Sequence, residues 1–437
     1  MKTVARTALA LGVVLSAAAC TSSSPAAPAP AAGVPATSAP GATGLTTTEV
    51  HALPGTDAEP FDKTRRLSAP KGWTVSVWAR VPKARLLAWT ADGRLLVSRP
   101  GFGDVITLTP RGDAAPEQST LTEGLTQPHG LAFHGNTLYV AESNQIDSFT
   151  YASGAVSGRR VVAAGLPDAK SPELGGAYAH ALKSVAVGKG GELYFSIGSS
   201  GNVSVEDRDA DPERAAILRM PAGGGKPAVF ARGVRNGTGL AIDPDGGVWT
   251  AVNNRDNVAY PNDDDYDGDG KADQGKVMQS YVNDHPLEPL ARLTEGRDLG
   301  WPYCNPDRPG APFVRDFQNN ADGSKLDCAA LKPVEQGMGA HSAPLGLSFV
   351  TGLPGAYGNG ALVGIHGSWN RKPPRPPEVS FFAWRDGTLG PQQTLLTGFQ
   401  NADGSRWGRP VMAVRGPDGA LYVSDDFAGA IYRVVLR

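Results

Sequence analysis

The stretch LKSVAVGKGGELYFSIGS, residues 182–199, carries the pattern on which the fold of this 437-residue chain depends. Apolar and polar residues alternate through LKSVAV, a glycine-containing turn follows, and ELYFSI continues with apolar and aromatic residues. Alternation with a period of two places every second side chain on one face of a strand, and a short glycine turn between two such runs favours an antiparallel hairpin. The stretch therefore predicts two neighbouring strands of one sheet.

The same unit recurs along the chain. The copies are ARLLAWTADGRLLVSRP (84–100), HGLAFHGNTLYVAES (129–143), LKSVAVGKGGELYFSIGS (182–199), TGLAIDPDGGVWTAVNN (238–254), PLGLSFVTGLPGAYGNGALVGIHGS (344–368) and PVMAVRGPDGALYVSDD (410–426). Further strand-like runs follow several copies: DVITLTP, AAILRMP, VSFFAWR and AIYRVVL. Repetition of four-stranded units is typical of a propeller. We therefore predict an all-β, six-bladed β-propeller in which the last strand, IYRVVL, shares a blade with the first, WTVSVWA.

Composition agrees with an all-β domain, because 55 glycines and 36 prolines accompany many short alternating runs and few segments of helical periodicity. Acidic and basic residues nearly balance, with 43 Asp and Glu against 41 Lys and Arg, and the net charge is −2. Residues of both signs are interspersed. This balance argues against a nucleic acid or an anionic membrane surface as a partner.

The amino terminus has the features of an export signal. Two basic residues precede an apolar run over residues 8–19, which is too short to span a bilayer as a helix. Small residues stand directly before Cys20, as in a bacterial lipobox. We therefore predict a signal peptide over residues 1–20 and an extracytoplasmic lipoprotein held at the membrane through Cys20, with ordinary signal cleavage as the alternative.

A tether is predicted over residues 21–66, followed by the folded domain over residues 67–437. The segment after Cys20 consists of Ser, Pro, Ala, Thr and Gly, with a single Val, up to about residue 44 and carries no charge. Such a composition cannot bury enough apolar surface to offset the entropy of ordering the chain. The remaining length suffices for one large core or a repeat array.

Two further cysteines, Cys304 and Cys328, follow Cys20 in the sequence. In an exported protein, two cysteines at this spacing predict a disulfide that closes a local loop, and two free buried thiols are the alternative. A zinc site would need more ligands than two cysteines supply.

The loops that lead into the first strand of each copy carry basic and polar residues. These loops should gather at one mouth of a central channel, because propeller blades are arranged radially. The residues in equivalent positions are His129, His180, Arg235, Asn236, His341 and Arg409. Arginine pairs with carboxylates and histidine exchanges protons near neutral pH, so the ring suits an anionic, planar or metal-bound ligand.

Several motifs together resemble the soluble pyrroloquinoline quinone (PQQ) sugar dehydrogenase family, the glucose and sorbosone dehydrogenases. They are GAYAHALKSVAVGKGGELYFSIGSSGN, VRNGTGLAIDPDGGVWTAVNNRDN, GWPYCNP, HSAPLGLSF, GIHGSWNR and GRPVMAVRGPDGALYVSDDFAGAIYRV. The resemblance covers nearly all of residues 67–437. It implies a PQQ- and Ca²⁺-dependent enzyme that oxidises an aldose or a related sugar aldehyde and then transfers electrons to an acceptor that the motifs do not identify.

The resemblance also assigns roles to residues. His180 matches the general base, which takes the proton of the sugar hydroxyl while hydride moves to the quinone. The positions implied to contact PQQ are Arg235, Asn236, Asn253, Arg371 (or Lys372), Arg406 and Arg409. The backbone carbonyls of Asn254 and Arg255 match those that hold the active-site Ca²⁺. Ala179 stands where the glucose enzymes have an aspartate, so different hydrogen bonding to the substrate is expected.

The chemistry of these residue types fits the implied roles. Several arginines around a dry channel would offset the desolvation of the PQQ carboxylates. A Ca²⁺ ion takes oxygen ligands and would polarise the reacting carbonyl as a Lewis acid. The cofactor would supply the redox chemistry, and the protein would supply placement and one base.

A second calcium site is predicted in the acidic segment NDDDYDGDGKADQGK, residues 262–276. Positions 1, 3, 5 and 9 of a calcium loop correspond to Asp265, Asp267, Asp269 and Asp273. Position 12, where a bidentate Glu is expected, is Lys276. A solvated acidic loop is the alternative.

Two other classes of function share the propeller fold. A lactonase-type hydrolase would hold a metal in the channel with acidic side chains, whereas the ring here is rich in Arg and His. A non-catalytic propeller that binds glycans or proteins at its surface would keep the blades without the activity. The residues at the mouth favour the sugar dehydrogenase.

Overall fold

The computed structural model of the chain describes residues 44–436. Helical structure in this range comprises one α-helical turn, Gln279–Val282, and 3-10 turns at Pro172–Leu174, Glu206–Asp209 and Cys328–Ala330. No helix among these residues is long and apolar enough to cross a bilayer. The predicted signal peptide, the lipidation of Cys20 and residues 21–43 of the tether lie outside the described residues and stay predictions.

The hairpin predicted from residues 182–199 is present. Val185–Val187 pairs antiparallel with Leu193–Ile197, and Val185 lies opposite Phe195. The turn contains Gly191 at a φ of +87°, which glycine adopts without the steric cost that a side chain would add. Val185 and Phe195 are buried, but so are Ala186 and Tyr194 on the opposite face, so neighbouring sheets cover both faces of this hairpin.

Four separate sheets contain four or five strands each. The first comprises Leu87–Trp89, Leu95–Arg99, Asp104–Arg111 and Ala114–Thr122. The second comprises Gly130–His134, Thr137–Ala141, Ile146–Ala152 and Ala155–Ala163. The third adds Ala216–Met220, Ala228–Arg232 and Arg297–Asp298 to the hairpin. The fourth comprises Gly239–Ile242, Val248–Ala251, Leu287–Leu293 and Gln336–Ala340. Cys304–Asn305 and Val314–Arg315 form a small two-stranded sheet.

A fifth, ten-stranded sheet contains the remaining strands. Its spatial order is Pro344–Leu353, Gly358–Ile365, Glu378–Arg385, Thr388–Thr397, Arg66–Pro70, Leu45–Ala52, Thr74–Arg80, Ala430–Val435, Leu421–Asp425 and Pro410–Arg415. The predicted pairing of the last strand with the first is confirmed, because Ala430–Val435 pairs antiparallel with Thr74–Arg80. The prediction of six blades is confirmed only in part, because two four-stranded units are joined here into one sheet through two strands near the amino terminus.

The innermost strands make the arrangement propeller-like. The first strands of the six sequence copies contact one another in the closed series Leu87–Trp89, Gly130–His134, Val185–Val187, Gly239–Ile242, Pro344–Leu353, Pro410–Arg415 and back to Leu87–Trp89. Apolar side chains fill the space between neighbouring sheets; Ile146 of the second sheet, for example, belongs to one cluster with Phe195 and Leu218 of the third. The all-β prediction is therefore confirmed, with the sheets arranged around a central ring.

The predicted tether ends earlier than residue 66. Leu45–Ala52 pairs antiparallel with Arg66–Pro70 and parallel with Thr74–Arg80. Val50 and Phe61 are buried in the core cluster that contains Tyr432. Residues 45–66 therefore belong to the folded domain, which corrects the predicted boundary.

The predicted disulfide is confirmed. Cys304 and Cys328 are bonded, with their Cα atoms 5.6 Å apart, and both are buried. The bond lies in the segment between Leu287–Leu293 and Gln336–Ala340, which is the insertion that lengthens the fourth sequence copy. It closes a loop whose other contacts with the sheets include the salt bridge from Arg255 to Asp316.

Deletion of residues 1–66 should destabilise the domain by about 3–6 kcal/mol, because it removes two buried apolar side chains worth about 1.5–3 kcal/mol each. The edge of Phe61 packs against Trp407 and Tyr432, with ring centroids 6.2 and 6.0 Å apart, so its loss leaves a hole in the core. Denaturant unfolding measures the change. Deletion of residues 1–43 is the matched control, and equal midpoints for the two deletions would show that the strand Leu45–Ala52 contributes nothing.

Candidate active site

The loops that precede the six innermost strands meet at one end of the ring, here called the mouth. Backbone hydrogen bonds join them: Gly130 N donates to Lys183 O at 3.0 Å, Ser199 N to Arg235 O at 2.7 Å and Asn253 N to Asn236 O at 3.0 Å. The predicted convergence of these loops is therefore present in the fold. Hydrogen bonds between loops of different sheets also make the mouth rigid.

His180 lies at the mouth with one ring nitrogen engaged. Its Nδ1 is 3.0 Å from the carbonyl oxygen of Ser199 and 2.9 Å from Ser199 Oγ, which itself donates to Gly201 O at 2.7 Å. A carbonyl only accepts, so Nδ1 carries the proton and Nε2 has the free lone pair. Burial, followed by the positive charge of Arg235, lowers the pKa of His180 to about 3. The imidazole is therefore neutral and able to accept a proton through Nε2.

Arg235 and Asn236 follow the third sheet on the neighbouring loop, and both are buried. Arg235 donates through Nε and one terminal nitrogen to Asn202, at 3.1 and 3.0 Å, and through the other terminal nitrogen to Asn253 O at 3.0 Å. Its guanidinium is thus held in place by two asparagines. The side-chain amide of Asn236 forms no hydrogen bond with residues 44–436.

Arg406 and Arg409 form a pair of positive charges at the mouth. Neither forms a salt bridge with the described part of the chain; Arg409 Nε donates to His366 O at 2.9 Å, and Arg406 donates to Gln400 Oε1 at 3.2 Å and to Ser368 O. Burial and the neighbouring charge of Arg406 lower the pKa of Arg409. Two arginines that repel one another in a partly buried position favour an anion between them.

The backbone carbonyls of Asn254 and Arg255 lie on the loop after Val248–Ala251. The carbonyl oxygen of Arg255 accepts no hydrogen bond from residues 44–436. The guanidinium of Arg255 binds Asp316 and, at 2.7 Å, Gln318 Oε1. When the Asn253 amide is oriented to donate, its nitrogen lies 3.2 Å from Asn254 O and 3.3 Å from Glu288 Oε1. The loop therefore concentrates oxygen atoms in one place, which is the donor set that Ca²⁺ prefers.

The acidic segment brings three of its four predicted ligands together. Asp265, Asp267 and Asp269 are exposed and have carboxylate oxygens within 4.8 Å of one another. Asp273 is used differently: it accepts from the Tyr266 and Asp267 amides at 2.8 and 3.1 Å and from Lys276 at 2.6 Å. Asp273 therefore stabilises the turn and does not join the cluster.

Arg371 was predicted to contact the cofactor, and the structure gives it other partners. Its guanidinium donates to Asn283 O at 2.6 Å and forms a salt bridge with Asp284 at 3.0 Å. The neighbouring Lys372 exchanges two backbone hydrogen bonds with the Asn283 side chain, at 2.8 and 2.9 Å. Both residues tie the loop after Gly358–Ile365 to the short helix, and the contact of Arg371 with the cofactor stays a prediction.

Sequence reasoning missed a buried ionic network beside Arg409. Asp426 pairs with Arg85 at 2.7 Å and with His366 Nε2 at 2.8 Å. Burial alone would raise the pKa of Asp426, but these two partners outweigh it and hold the pKa well below its usual range. His129, fully buried, has Nδ1 3.2 Å from Lys183 O, while its Nε2 and Arg85 Nε have no partner within residues 44–436. The motifs GIHGSWNR and SDD contain His366 and Asp426, but only the fold shows that they meet each other and Arg85.

Three comparisons place these features among known proteins. The pyrroloquinoline quinone-dependent pyranose dehydrogenase of Coprinopsis cinerea is 24% identical over 396 residues, which cover 78% of this chain and 50% of that protein. This chain thus matches about half the length of that relative. Residues 67–436 match the family described as TrAA12-like.

Solved structures of sugar dehydrogenases share the fold. The holo form of the PQQ domain of Coprinopsis cinerea pyranose dehydrogenase has a TM-score of 0.71 and 22% identity, covering 89% of this chain and all of that one. A calcium structure of a Trichoderma reesei enzyme of carbohydrate-active family AA12 has a TM-score of 0.69 and 21% identity, covering 84% and 96%. The predicted resemblance is confirmed at the level of the family, and this chain belongs to the TrAA12-like family.

Proposed function

We propose that this protein is a PQQ- and Ca²⁺-dependent dehydrogenase that oxidises an aldose or a related sugar aldehyde, with His180 as the base. The observation that carries the proposal is a neutral imidazole with a fixed tautomer and a free Nε2, beside Arg235. The same mouth carries Arg406 and Arg409, which form no salt bridge within residues 44–436. The relative from Coprinopsis cinerea described above is a PQQ-dependent pyranose dehydrogenase. Lactonase chemistry is less well supported, because the mouth presents no free cluster of buried carboxylates within residues 44–436.

The residues at the mouth fit a planar anion with several carboxylates. Arg406 and Arg409 would receive carboxylates, and Asn236 offers an amide that makes no other hydrogen bond within residues 44–436. Arg235 is already tied to Asn202 and Asn253, so it would contribute charge and shape more than new hydrogen bonds. Charge-assisted hydrogen bonds to carboxylates are strong and orient the bound group.

Calcium fits the carbonyl oxygens of Asn254 and Arg255. The Arg255 carbonyl has no hydrogen-bond donor in the described range, and Glu288 lies nearby with an exposure of only 2%. Burial raises the pKa of Glu288 to about 7. The exposed carboxylates of Asp265, Asp267 and Asp269 form a separate cluster at the surface, which would hold a structural cation and not the reacting one.

The chain's own residues would perform three tasks. A bound PQQ would supply the hydride acceptor. His180 Nε2 takes the proton of the sugar hydroxyl, and Ser199 holds the ring by its Nδ1 proton so that the same nitrogen always faces the substrate. Arg235 is clamped by Asn202, which preserves the relative positions of the loops from two sheets. Burial of these groups removes competing water from around the reacting atoms.

Reconstitution tests the proposal. The purified chain should bind PQQ in the presence of Ca²⁺ and then reduce an artificial electron acceptor when an aldose from a panel of sugars is added, and chelation of Ca²⁺ should abolish this. Binding of PQQ without oxidation of any sugar or sugar aldehyde would reject the substrate class. Absence of PQQ binding would reject the dehydrogenase and favour a propeller that only binds glycans or proteins.

We further propose that the ten-stranded sheet counts as two blades, which gives a six-bladed propeller. Each end of that sheet is an antiparallel four-stranded unit, and Ser68 and Thr397 form the one residue pair that connects Arg66–Pro70 to the first of these units. A single residue pair is too small a connection to make the two four-stranded units one blade. An experimental structure with fewer than six inner strands around the channel would refute the count.

A further inference from the structure

A second histidine at the mouth, His341, has hydrogen-bond acceptors on both ring nitrogens. Its Nε2 lies 2.6 Å from Val282 O and 3.1 Å from His285 O, and its Nδ1 lies 3.2 Å from Asp256 Oδ1. Carbonyl and carboxylate oxygens only accept, so both nitrogens must donate. Burial alone would lower the pKa of His341, but hydrogen bonding to Asp256 and the charge of Glu288 outweigh it, and the pKa is raised. His341 is therefore an imidazolium.

The backbone around His341 is strained. His341 and Ala343 have φ values of +53° and +52°, in the left-handed region that residues other than glycine rarely adopt. The buried side chain of Glu288 stabilises this turn, because its Oε2 accepts a hydrogen bond from Ala343 N at 2.7 Å. Strain of this kind persists where the surrounding structure fixes a functional group in position. Here it directs the imidazolium towards Asp256.

Asp256 itself is fixed by the residue that also holds Arg235. Asp256 N donates to Asn202 Oδ1 at 2.8 Å, and Asn202 Nδ2 donates to Asp256 O at 3.1 Å. The same Asn202 Oδ1 accepts from Arg235 at 3.0 Å. The backbone of Asp256 is therefore held relative to Arg235, while His341 orients its carboxylate. One restraint on the backbone and one on the side chain together give the preorganisation that a binding group needs.

One oxygen of this carboxylate is free. Asp256 Oδ2 forms no hydrogen bond with residues 44–436, and the side chain keeps 16% of its surface exposed. Hydrogen bonds link this residue to the base in series: Asp256 and Arg235 both bind Asn202 Oδ1. Arg235 O accepts from Ser199 N, and Ser199 O contacts His180 Nδ1. A fixed carboxylate with a free oxygen beside a base is suited to accept a hydrogen bond from a hydroxyl group.

We propose that Asp256, held by His341 and Asn202, binds a hydroxyl of the substrate next to the one that is oxidised, and so determines which sugars react. The inference rests on the proposed function and names the group that selects the substrate. His341 acts as a positioning residue, because its contact is with Asp256.

Substrate analogues test this assignment. Asp256→Asn in the reconstituted full chain should lower kcat/KM for the preferred aldose by about 10- to 100-fold, as expected for loss of a hydrogen bond to a charged group. One monodeoxy analogue should react about equally slowly with the wild type and with Asp256→Asn, because it lacks the hydroxyl that Asp256 binds. His341→Gln should reduce, but not abolish, the difference in kcat/KM between the preferred aldose and this monodeoxy analogue. The melting temperature of each variant, measured without cofactor, reports whether it is folded.

The chain offers a matched control. Asp307 pairs with His285 Nε2 at 3.2 Å, the same kind of contact as that between Asp256 and His341. Asp307→Asn should keep the wild-type discrimination among the sugars. If removal of each hydroxyl instead lowers kcat/KM as much in Asp256→Asn as in the wild type, Asp256 does not bind a substrate hydroxyl and the assignment is wrong.

A binding measurement separates this assignment from the proposed function. If the wild type oxidises no sugar, the proposed dehydrogenase fails, and calorimetric binding of the same sugars decides the role of Asp256. Weaker binding by Asp256→Asn, with unchanged binding by Asp307→Asn, would support the assignment without any catalysis. Equal binding by both variants and the wild type, or no binding at all, would overturn it.

Discussion

Replacing His180 by glutamine is expected to lower kcat of the reconstituted enzyme by about 10²- to 10⁴-fold and to leave PQQ affinity nearly unchanged. Glutamine has a similar length and can donate to the Ser199 carbonyl, but it cannot accept a proton. A base acts on the transition state and adds little to cofactor binding, so the two quantities should separate. Steady-state kinetics and PQQ titration of the same preparation measure them.

The control for this variant is His134→Gln. His134 is exposed at the far end of the strand Gly130–His134, away from the mouth, so its replacement should change neither quantity.

The pH profile of kcat/KM gives a second test of His180. Because the pKa of His180 is lowered to about 3, the neutral imidazole persists from pH 8 down to pH 5, and protonation of His180 should not reduce kcat/KM in that range. Near-normal turnover by His180→Gln would show that His180 only lines the channel.

Hairpins were predictable because local patterns decide them. Alternation and a glycine turn identified Leu193–Ile197 and its partner, and the run AIYRVVL was correctly paired with WTVSVWA across the whole chain. The strand Leu45–Ala52 was missed, since its sequence LTTTEVHA buries only Val50 among its eight residues. Its position depends on backbone pairing with Arg66–Pro70, and backbone pairing leaves no apolar pattern in the sequence.

The positions of site residues were predictable, but their partners were not. Equivalent places in the repeats brought His180 and Arg235 to one loop cluster, where Ser199 N donates to Arg235 O. The contact of His341 with Asp256 joins residues 85 positions apart on different loops. The contact of Arg371 with Asp284 was not predictable for the same reason, because the two residues are 87 positions apart. Long-range ionic contacts between loops require the fold.

Replacing Arg406 and Arg409 together by glutamine is expected to weaken PQQ binding by about 10²- to 10⁴-fold, with turnover recovering at saturating cofactor. Each charge-assisted hydrogen bond to a carboxylate contributes about 1.5–3 kcal/mol, and about 1.4 kcal/mol corresponds to a factor of ten in affinity. The wild-type pair has no carboxylate partner within residues 44–436, and the neighbouring Arg406 charge adds to burial in lowering the pKa of Arg409. The doubly substituted chain should therefore fold at least as stably as the parent while binding the cofactor poorly.

Two comparison variants make the result specific to a site for carboxylates. Arg409→Lys keeps the charge without the planar fork, so PQQ affinity should fall between that of Arg409→Gln and that of the wild type. Arg371→Gln should change PQQ affinity less than about threefold. The guanidinium of Arg371 is neutralised by Asp284 at 3.0 Å, and a partly exposed ion pair of this kind contributes little energy. If Arg371→Gln weakened binding as much as the double replacement, the cofactor would lie against the loop after Gly358–Ile365, and Arg406 and Arg409 would only help to fold the mouth.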